Sequence, residues 1–152
     1  MPSFKCGVCE MNKTIIGIDC GASGCMCVLA GGTVQIVKLD SPGVVEFLKR
    51  LATDGSRCFI EEINEQNNRW KELSLSESFG AWKMACRIFG IPVELVKSKT
   101  WEMVCGCRLA KYDYARQKEA NFQRAKQLFP NTKIFKYSAD SVLISYYGSL
   151  RV

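Results

Sequence analysis

The chain has 152 residues, enough for one domain with its own core and too few for two of ordinary size. A hydrophobic content of 47% with only four prolines indicates a globular protein, and no apolar run approaches the roughly 20 residues of a membrane-spanning helix. The sequence contains no histidine, which excludes histidine bases, histidine-activated nucleophiles and histidine metal ligands.

The chain carries nine cysteines and a net charge of +6. An odd cysteine count, in a chain whose first residues lack the apolar core of a signal peptide, predicts free thiols in an intracellular, reducing compartment. Residues 1–63 hold six Lys/Arg and seven Asp/Glu, whereas residues 64–152 hold fifteen and eight. The second half therefore predicts a surface for a polyanion, nucleic acid first, with a merely solvated basic face as the alternative.

Apolar runs, turn signals and helical spacing predict the elements of the chain. In chain order they are strands over 14–19, 25–30 and 33–39, a helix over 44–51, a strand over 57–61, a helix over 74–89, a strand over 92–96, and helices over 99–104, 114–128 and 138–148. Gly31-Gly32 predicts a hairpin, Ser41 before Pro42 predicts the start of the first helix, and Ser138 predicts the cap of the last.

These elements predict an α/β domain over 14–152, preceded by an N-terminal extension over 1–13. We expect a five-stranded mixed sheet, with three antiparallel strands followed by two parallel ones and with helices on both faces.

Two predicted strands end on a carboxylate, Asp19 and Glu61, and a third acid, Asp140, lies in the first turn of the last helix. Ligands of such sheets bind beyond the carboxyl ends of the central strands. Clustered carboxylates in a half-buried site are costly unless a cation pairs with them. Mg²⁺ or Mn²⁺, which takes oxygen ligands, would remove that cost.

Several motifs resemble those of one family when they are taken in chain order. Ile15-Ile-Gly-Ile-Asp19, followed by a Gly/Ser turn, and Cys58-Phe-Ile-Glu61 are similar to the first two motifs of the RuvC-like Holliday-junction resolvases, which belong to the RNase H-like superfamily. The stretches 78–83, 90–101, 118–120 with 128–130, and 139–148 look closest to the phage and plastid-organelle branch of that family. The resemblance runs from about residue 14 to residue 148.

The resemblance implies an RNase H-like fold and a homodimer that resolves four-way DNA junctions by paired, metal-dependent nicks. It makes Asp19, Glu61 and Asp140 the catalytic metal ligands, with Mg²⁺ or Mn²⁺ as the cofactor. It implies neither a small-molecule cofactor nor a membrane partner. Each acid also has an ordinary explanation when taken alone, as a turn residue or as an acid that complements a helix dipole.

The sequence departs from the family just before its last acid. The family usually places a fourth ligand, Asp or His, at the position of Lys136 or Tyr137. Lys136 could be a catalytic residue that puts its ammonium beside the phosphate, or it could mark an inactive chain, or Glu62 could compensate. An impaired, junction-binding module of the same fold is therefore the alternative function. Residues 17–21 also resemble the phosphate loop of actin-like ATPases, which need a second domain.

The predicted DNA contacts lie mostly in the basic half of the chain. They are Lys97, Lys99, Arg108, Lys111, Arg116 and Lys118, with Arg69, Trp70 and Lys71 in a loop after the second catalytic strand. Lys118 is the first candidate because it matches the family pattern beside the site. Trp70 could stack on an unpaired base at the crossover, or could pack against the start of the next helix.

The predicted helix over 74–89 carries an apolar stripe of Phe79, Trp82, Cys86 and Phe89. Such a stripe is by default a core face, but further apolar residues widen it, and we expect it to include the dimer interface.

The cysteines allow one further hypothesis. Cys6 and Cys9 could join Cys105 and Cys107 in a four-thiolate zinc site, although no further CxxC motif supports this, and small core residues are the alternative.

Overall fold

The structure is a computed structural model that describes residues 13–21, 23–53, 55–63 and 69–152, with the backbone alone for 69–72. The described elements are β1 (Ile15–Asp19), β2 (Cys25–Ala30), β3 (Thr33–Lys38), α1 (Val44–Arg50), β4 (Arg57–Glu61), α2 (Arg69–Ile88), β5 (Val93–Val96), α3 (Ser98–Cys105), α4 (Tyr114–Leu128) and α5 (Ala139–Ser149). The predicted extension over 1–13 lies outside the described residues except for Lys13.

The strands form one sheet in the order β3-β2-β1-β4-β5. β1 pairs antiparallel with β2, and β2 with β3, whereas β4 pairs parallel with both β1 and β5. The predicted mixed sheet is confirmed. Gly31 and Gly32 have φ of 56° and 76°, which is the backbone that a tight hairpin between β2 and β3 requires. Because β1 and β4 are parallel neighbours, their carboxyl ends meet at one edge of the sheet.

Alternate residues of the strands supply two separate cores, as expected for a sheet covered on both faces. Ile15, Cys27 and Phe59 pack with α3, α4 and α5, where Trp101 and Leu143 are fully buried. Ile16, Met26, Cys58 and Ile60 pack with α1 and α2 in the other core. The chain is therefore a helix–sheet–helix sandwich, and helices on both faces are confirmed.

α5 packs more closely on the sheet than side chains would permit. A Cβ on Gly17 of β1 would lie 2.5 Å from both Ser141 O and Ser145 N of α5, and a Cβ on Gly148 would lie 2.4 Å from the Phe59 ring. The two glycines let the α5 backbone touch β1 and β4. Because Ser141 directly follows Asp140, this close contact lies next to the third acid.

Three local predictions differ from the structure. α2 begins at Arg69 and not at residue 74, because good helix formers extend it ahead of the apolar spacing that marks its core face. α1 begins after Gly43, whose φ is 76°, since a turn over 41–43 separates Pro42 from the helix. The Ser138 hydroxyl bonds to the backbone of Phe135 instead of capping α5.

The predicted dimer stripe needs correction. Trp82 and Cys86 are 8% and 0% exposed and belong to the core against the sheet, and Phe79 and Phe89 pack onto the same core. Trp82 and Cys86 are therefore core residues, whereas a dimer contact by the partly exposed Phe79 and Phe89 stays a prediction. The exposed large apolar side chains of α2, among those described, are Leu73, Met84 and Ile88.

The described cysteines behave as small core residues. Cys105 and Cys107 are buried, and their thiols donate to Leu143 O and Glu102 O, each at 3.5 Å. Both thiols are thus placed in the core, while Cys6 and Cys9 lie outside the described residues. Among the helices that the structure describes, none has the length and apolarity to cross a membrane.

Candidate active site

Asp19 is the last residue of β1, and the turn that follows holds its carboxylate. Gly21 N donates to Asp19 Oδ1 at 3.0 Å. Burial raises the pKa of Asp19, and the charge of Asp140 raises it further, against the lowering effects of the Gly21 hydrogen bond and of Lys118. The raised pKa means that the charged form of this carboxyl group is unfavourable in its surroundings. A nearby cation would stabilise the charged form.

Glu61 ends β4, the neighbouring parallel strand. Its Oε2 accepts a hydrogen bond of 3.0 Å from Nε1 of Trp101, a fully buried residue of α3. Burial, followed by the charges of Asp19 and Asp140, raises the pKa of Glu61 from 4.5 to about 8. The Trp101 bond fixes one carboxylate oxygen, and the three acids repel one another through the site.

Asp140, in the first turn of α5, is only 5% exposed and is held by two residues of α4. Lys118 donates to Asp140 Oδ2 through its ammonium, and Asn121 Nδ2 donates to Oδ1 at 3.0 Å. Burial lowers the pKa of Lys118, but the charge of Asp140 and its hydrogen bond, with the charges of Asp19 and Glu61, outweigh this and raise it. Lys118 is thus a cation built into the acidic site.

A cavity of about 290 Å³ opens beside these groups. Its lining residues are Glu61, Ser98, Trp101, Glu102, Tyr112, Tyr114, Gln117, Lys118 and Asp140. Tyr112 and Tyr114 are 55% and 66% exposed, so aromatic rings stand at the mouth of a cavity with carboxylates within. The cavity combines one ammonium with acidic oxygens.

The donor set fits a divalent cation by its chemistry. The three carboxylates supply hard oxygen ligands, and Mg²⁺ is usually bound by one or two carboxylates together with substrate phosphate. Within the described part of the chain, no three Asp, Glu, Cys or His side chains converge closely enough to hold one ion by themselves. Glu61 and Asp140, which line one cavity, would therefore share a cation with the ligand.

Lys136 is not at the site. Its ammonium binds Glu119 at 3.0 Å, and its side chain is 75% exposed. Glu119 lies one position after Lys118 on α4 and draws Lys136 away from the carboxylates. The ammonium expected from Lys136 is supplied by Lys118. Tyr137 stacks on Phe135 with 5.1 Å between the ring centroids, so neither candidate for the fourth position lines the cavity.

Most of the other basic candidates adjoin residues that line the cavity, either in sequence or by contact. Lys97 and Lys99 are exposed on either side of Ser98, and Lys111 is exposed beside Tyr112. Arg108 Nη1 binds the buried Glu102 at 2.5 Å, and its guanidinium lies 4.9 Å from the centre of the Tyr112 ring. Arg116 is exposed on the first turn of α4.

The predicted loop containing Arg69, Trp70 and Lys71 is different in the structure. The backbone of these three residues belongs to the first turn of α2, and their side chains lie outside the described part of the chain. Their proposed DNA contacts stay predictions.

Two buried polar residues of α4 are not predicted by the sequence pattern. Gln117 and Asn121 are 2% and 0% exposed and lie directly behind Asp140. Their spacing of four residues places them on one helix face, with Ala125 continuing it. An amide pair in line with a core alanine is the signal that could have identified them.

Replacing Glu61 by Gln is expected to stabilise the metal-free protein at pH 8 and to change little at pH 4.5. The folded protein keeps this proton up to about pH 8, whereas the unfolded chain loses it near 4.5, so stability falls as the pH rises between these values. The gain at pH 8 is about 1–3 kcal/mol, allowing for the partial exposure of the carboxyl.

Thermal unfolding in EDTA at both pH values measures this effect. Glu119→Gln is the control: hydrogen bonds from Gln123 and Lys136 hold the pKa of Glu119 below its ordinary value, so this change brings no gain at pH 8. Equal melting temperatures for Glu61→Gln and wild type at pH 8 would contradict the prediction.

Comparisons with known proteins support the fold. No protein-family model and no curated protein sequence matches the chain. Among solved structures, Thermus thermophilus RuvC is similar with a TM-score of 0.65 and 16% identity, over 90% of this chain and 93% of that one. T. thermophilus RuvC in complex with a Holliday junction substrate gives a TM-score of 0.65 and 15% identity, over 90% and 92%. The expected RuvC-type, RNase H-like fold is confirmed.

Proposed function

We propose that this chain is an endonuclease that cuts four-way DNA junctions by metal-dependent phosphodiester hydrolysis, with paired nicks made by a homodimer. The observation that carries the proposal is the meeting of Asp19, Glu61 and Asp140 at one edge of a RuvC-type sheet, where burial and mutual repulsion raise the pKa of the first two. The same fold has been solved in RuvC with a Holliday junction.

Each side of the cavity contributes a part of the proposed reaction. Mg²⁺ or Mn²⁺, when bound, would activate a water and stabilise the leaving oxygen. Glu61 and Asp140 would hold it together with the phosphate that Lys118 binds, and Asp19 is the proposed third ligand, which would move closer when the cation binds. Lys97, Lys99, Arg108 and Lys111 adjoin lining residues in sequence or by contact, and they would bind the flanking phosphates.

Incubation with a synthetic four-way junction and Mg²⁺ tests the proposal. We expect symmetric nicks near the crossover and much slower cutting of a linear duplex of the same sequence. Omission of the metal should abolish the nicks. Cutting of linear duplex and junction at equal rates would contradict junction selectivity, and absence of both cutting and junction binding would overturn the proposed function.

A junction-binding module without nuclease activity is the second candidate. The pairing of Lys118 with Asp140 supports it, because the ammonium already neutralises one carboxylate. Tight binding of the junction without nicks, in Mg²⁺ and in Mn²⁺, would favour this module. The ATPase resemblance of residues 17–21 gains no support from the fold, which matches RuvC over 90% of the chain.

The homodimer is proposed on the exposed apolar face of α2. Met84 and Ile88, 52% and 70% exposed, lie one helical turn apart, and exposed apolar patches often mark interfaces. Replacing both by Glu is expected to convert dimers to monomers in sedimentation velocity experiments and paired nicks to single ones. Val45→Glu, at a 48% exposed site on α1, is the control. A double variant that remains dimeric would contradict this assignment.

A further inference from the structure

Two buried amides connect the backbone after α3 to Asp140. Leu109 N donates to Gln117 Oε1 at 3.0 Å, and Gln117 Nε2 donates to Cys107 O at 2.9 Å and to Asn121 Oδ1 at 2.8 Å. Asn121 Nδ2 then donates to Asp140 Oδ1 at 3.0 Å and more weakly to Glu102 Oε1 at 3.4 Å. We name Gln117 and Asn121 the amide relay.

The backbone determines which way each amide of the relay points. A backbone N–H can only donate and a carbonyl can only accept, so Leu109 and Cys107 fix the two ends of the Gln117 amide. Gln117 must then donate to Asn121, which makes Asn121 Oδ1 an acceptor. Both protons of Asn121 Nδ2 therefore point at carboxylates. A flip of either amide would bring two donors or two acceptors together in a site with almost no solvent contact.

This orientation gives the two oxygens of Asp140 different roles. Oδ1 is occupied by Asn121, which comes from the buried side, and Oδ2 is bound by Lys118, which lines the cavity. We propose that Gln117 and Asn121 are positioning residues that hold the Asp140 carboxylate with Oδ2 turned toward the cavity, where it binds Lys118 and would also serve as a ligand of a divalent cation. A test by Mn²⁺ binding rests on the proposed function, whereas a test by NMR does not.

The relay also joins the site to the segment at the cavity mouth. Glu102 binds both Asn121 and Arg108, and Arg108 lies over Tyr112. A shift of residues 107–109 would move Gln117, then Asn121, and with it the carboxylate. The position of Asp140 is thus set by the backbone that follows α3 as well as by α5.

The first test observes the relay directly by NMR. In Asp140→Asn, the side-chain amide signals of Asn121 are expected to shift more than those of Gln123, an exposed amide of the same helix bonded to Glu119 at 2.8 Å. Gln117→Glu, which keeps the acceptor for Leu109 N and loses the donor to Asn121, should shift them as well. Asn121 signals that move no more than those of Gln123 in both variants would overturn the proposal.

The second test measures binding of Mn²⁺ alone by calorimetry, well below the unfolding temperature. Loss of a residue that orients a metal ligand weakens metal affinity by about 10–100-fold, so we expect that range for Asn121→Leu and a smaller loss for Gln117→Glu. Gln123→Leu is the matched control and should bind as wild type does. Wild-type affinity in a folded Asn121→Leu variant would overturn the proposal, as a purely structural role predicts.

The two tests separate this inference from the proposed function. If wild-type protein binds Mn²⁺ and cuts no junction, the nuclease proposal fails. The Mn²⁺ affinities of the Asn121 and Gln117 variants then still test the positioning role of the amide relay. If Asn121→Leu does not fold, or wild-type protein binds no Mn²⁺, the NMR comparison decides alone, because it uses Asp140→Asn and needs neither metal nor DNA.

Discussion

Replacing Asp19 by Asn is expected to slow cleavage of a four-way junction by about 10³-fold or more, while junction affinity stays the same or rises. Burial and the charge of Asp140 raise the pKa of Asp19, which identifies its carboxylate as a charge that the proposed metal would neutralise. The loss of one metal ligand costs several kcal/mol of transition-state stabilisation, and each 1.4 kcal/mol is about tenfold in rate. Removing a negative charge also favours an approaching phosphate.

Single-turnover cleavage and a gel-shift titration on the same junction separate these two effects. Asp40→Asn, the same chemical change at an exposed turn after β3, is the matched control and should cut at the wild-type rate. An Asp19→Asn protein that cuts within tenfold of wild type would remove Asp19 from the proposed ligand set. Equal losses of cleavage and of binding would indicate that its role is in DNA affinity.

Replacing Gly17 by Ala is expected to destabilise the protein by about 3 kcal/mol, at the upper end of the range for an overpacked core. The added Cβ would lie 2.5 Å from Ser141 O and Ser145 N, which are backbone atoms of α5. A side chain could rotate away, but a helix backbone can only move as a whole. Since α5 packs on β1, β2 and β4 and against α3 and α4, such a movement disturbs most of one core.

Urea unfolding, with the midpoint converted through the slope of the transition, measures this loss. Gly80→Ala is the control of opposite sign, because a Cβ there meets nothing within 4 Å and alanine is favoured over glycine inside a helix by about 1 kcal/mol. A Gly17→Ala protein as stable as wild type would show that α5 can move away from β1 without loss.

Most of the fold could be predicted from local sequence patterns, because those patterns and the tertiary contacts favour the same elements. The strands were found to within about one residue from apolar runs bounded by glycines and polar turns. α4 was found at both ends, where Asp113 caps it and Pro130 follows it. The start of α2 could not be found, since residues 69–73 carry helix-forming residues without the periodic apolar spacing of a core face.

Of the candidate site, only the residues at the strand ends could be predicted from the arrangement of the sheet. Asp19 and Glu61 follow from the parallel pairing of β1 and β4, which places their carboxyl ends together. Lys118, and not Lys136, places its ammonium at the site. This depends on the distance between α4 and α5 and on Glu119, which binds Lys136 instead. Gln117 and Asn121 would be expected on a solvated face; they are buried because Asp140 and the segment after α3 cover them.

The glycine contact between α5 and β1 makes the two halves of the sandwich unequal targets for protein engineering. On the α5 side, a substitution that shifts the helix on the sheet also shifts Asp140, so gains in thermal tolerance and losses of the proposed nuclease activity should arise together. The α1 and α2 side packs on the opposite face of the sheet and carries none of the three acids. Libraries aimed at a more robust protein should therefore be confined to that side, around Val44, Leu48 and Ile91.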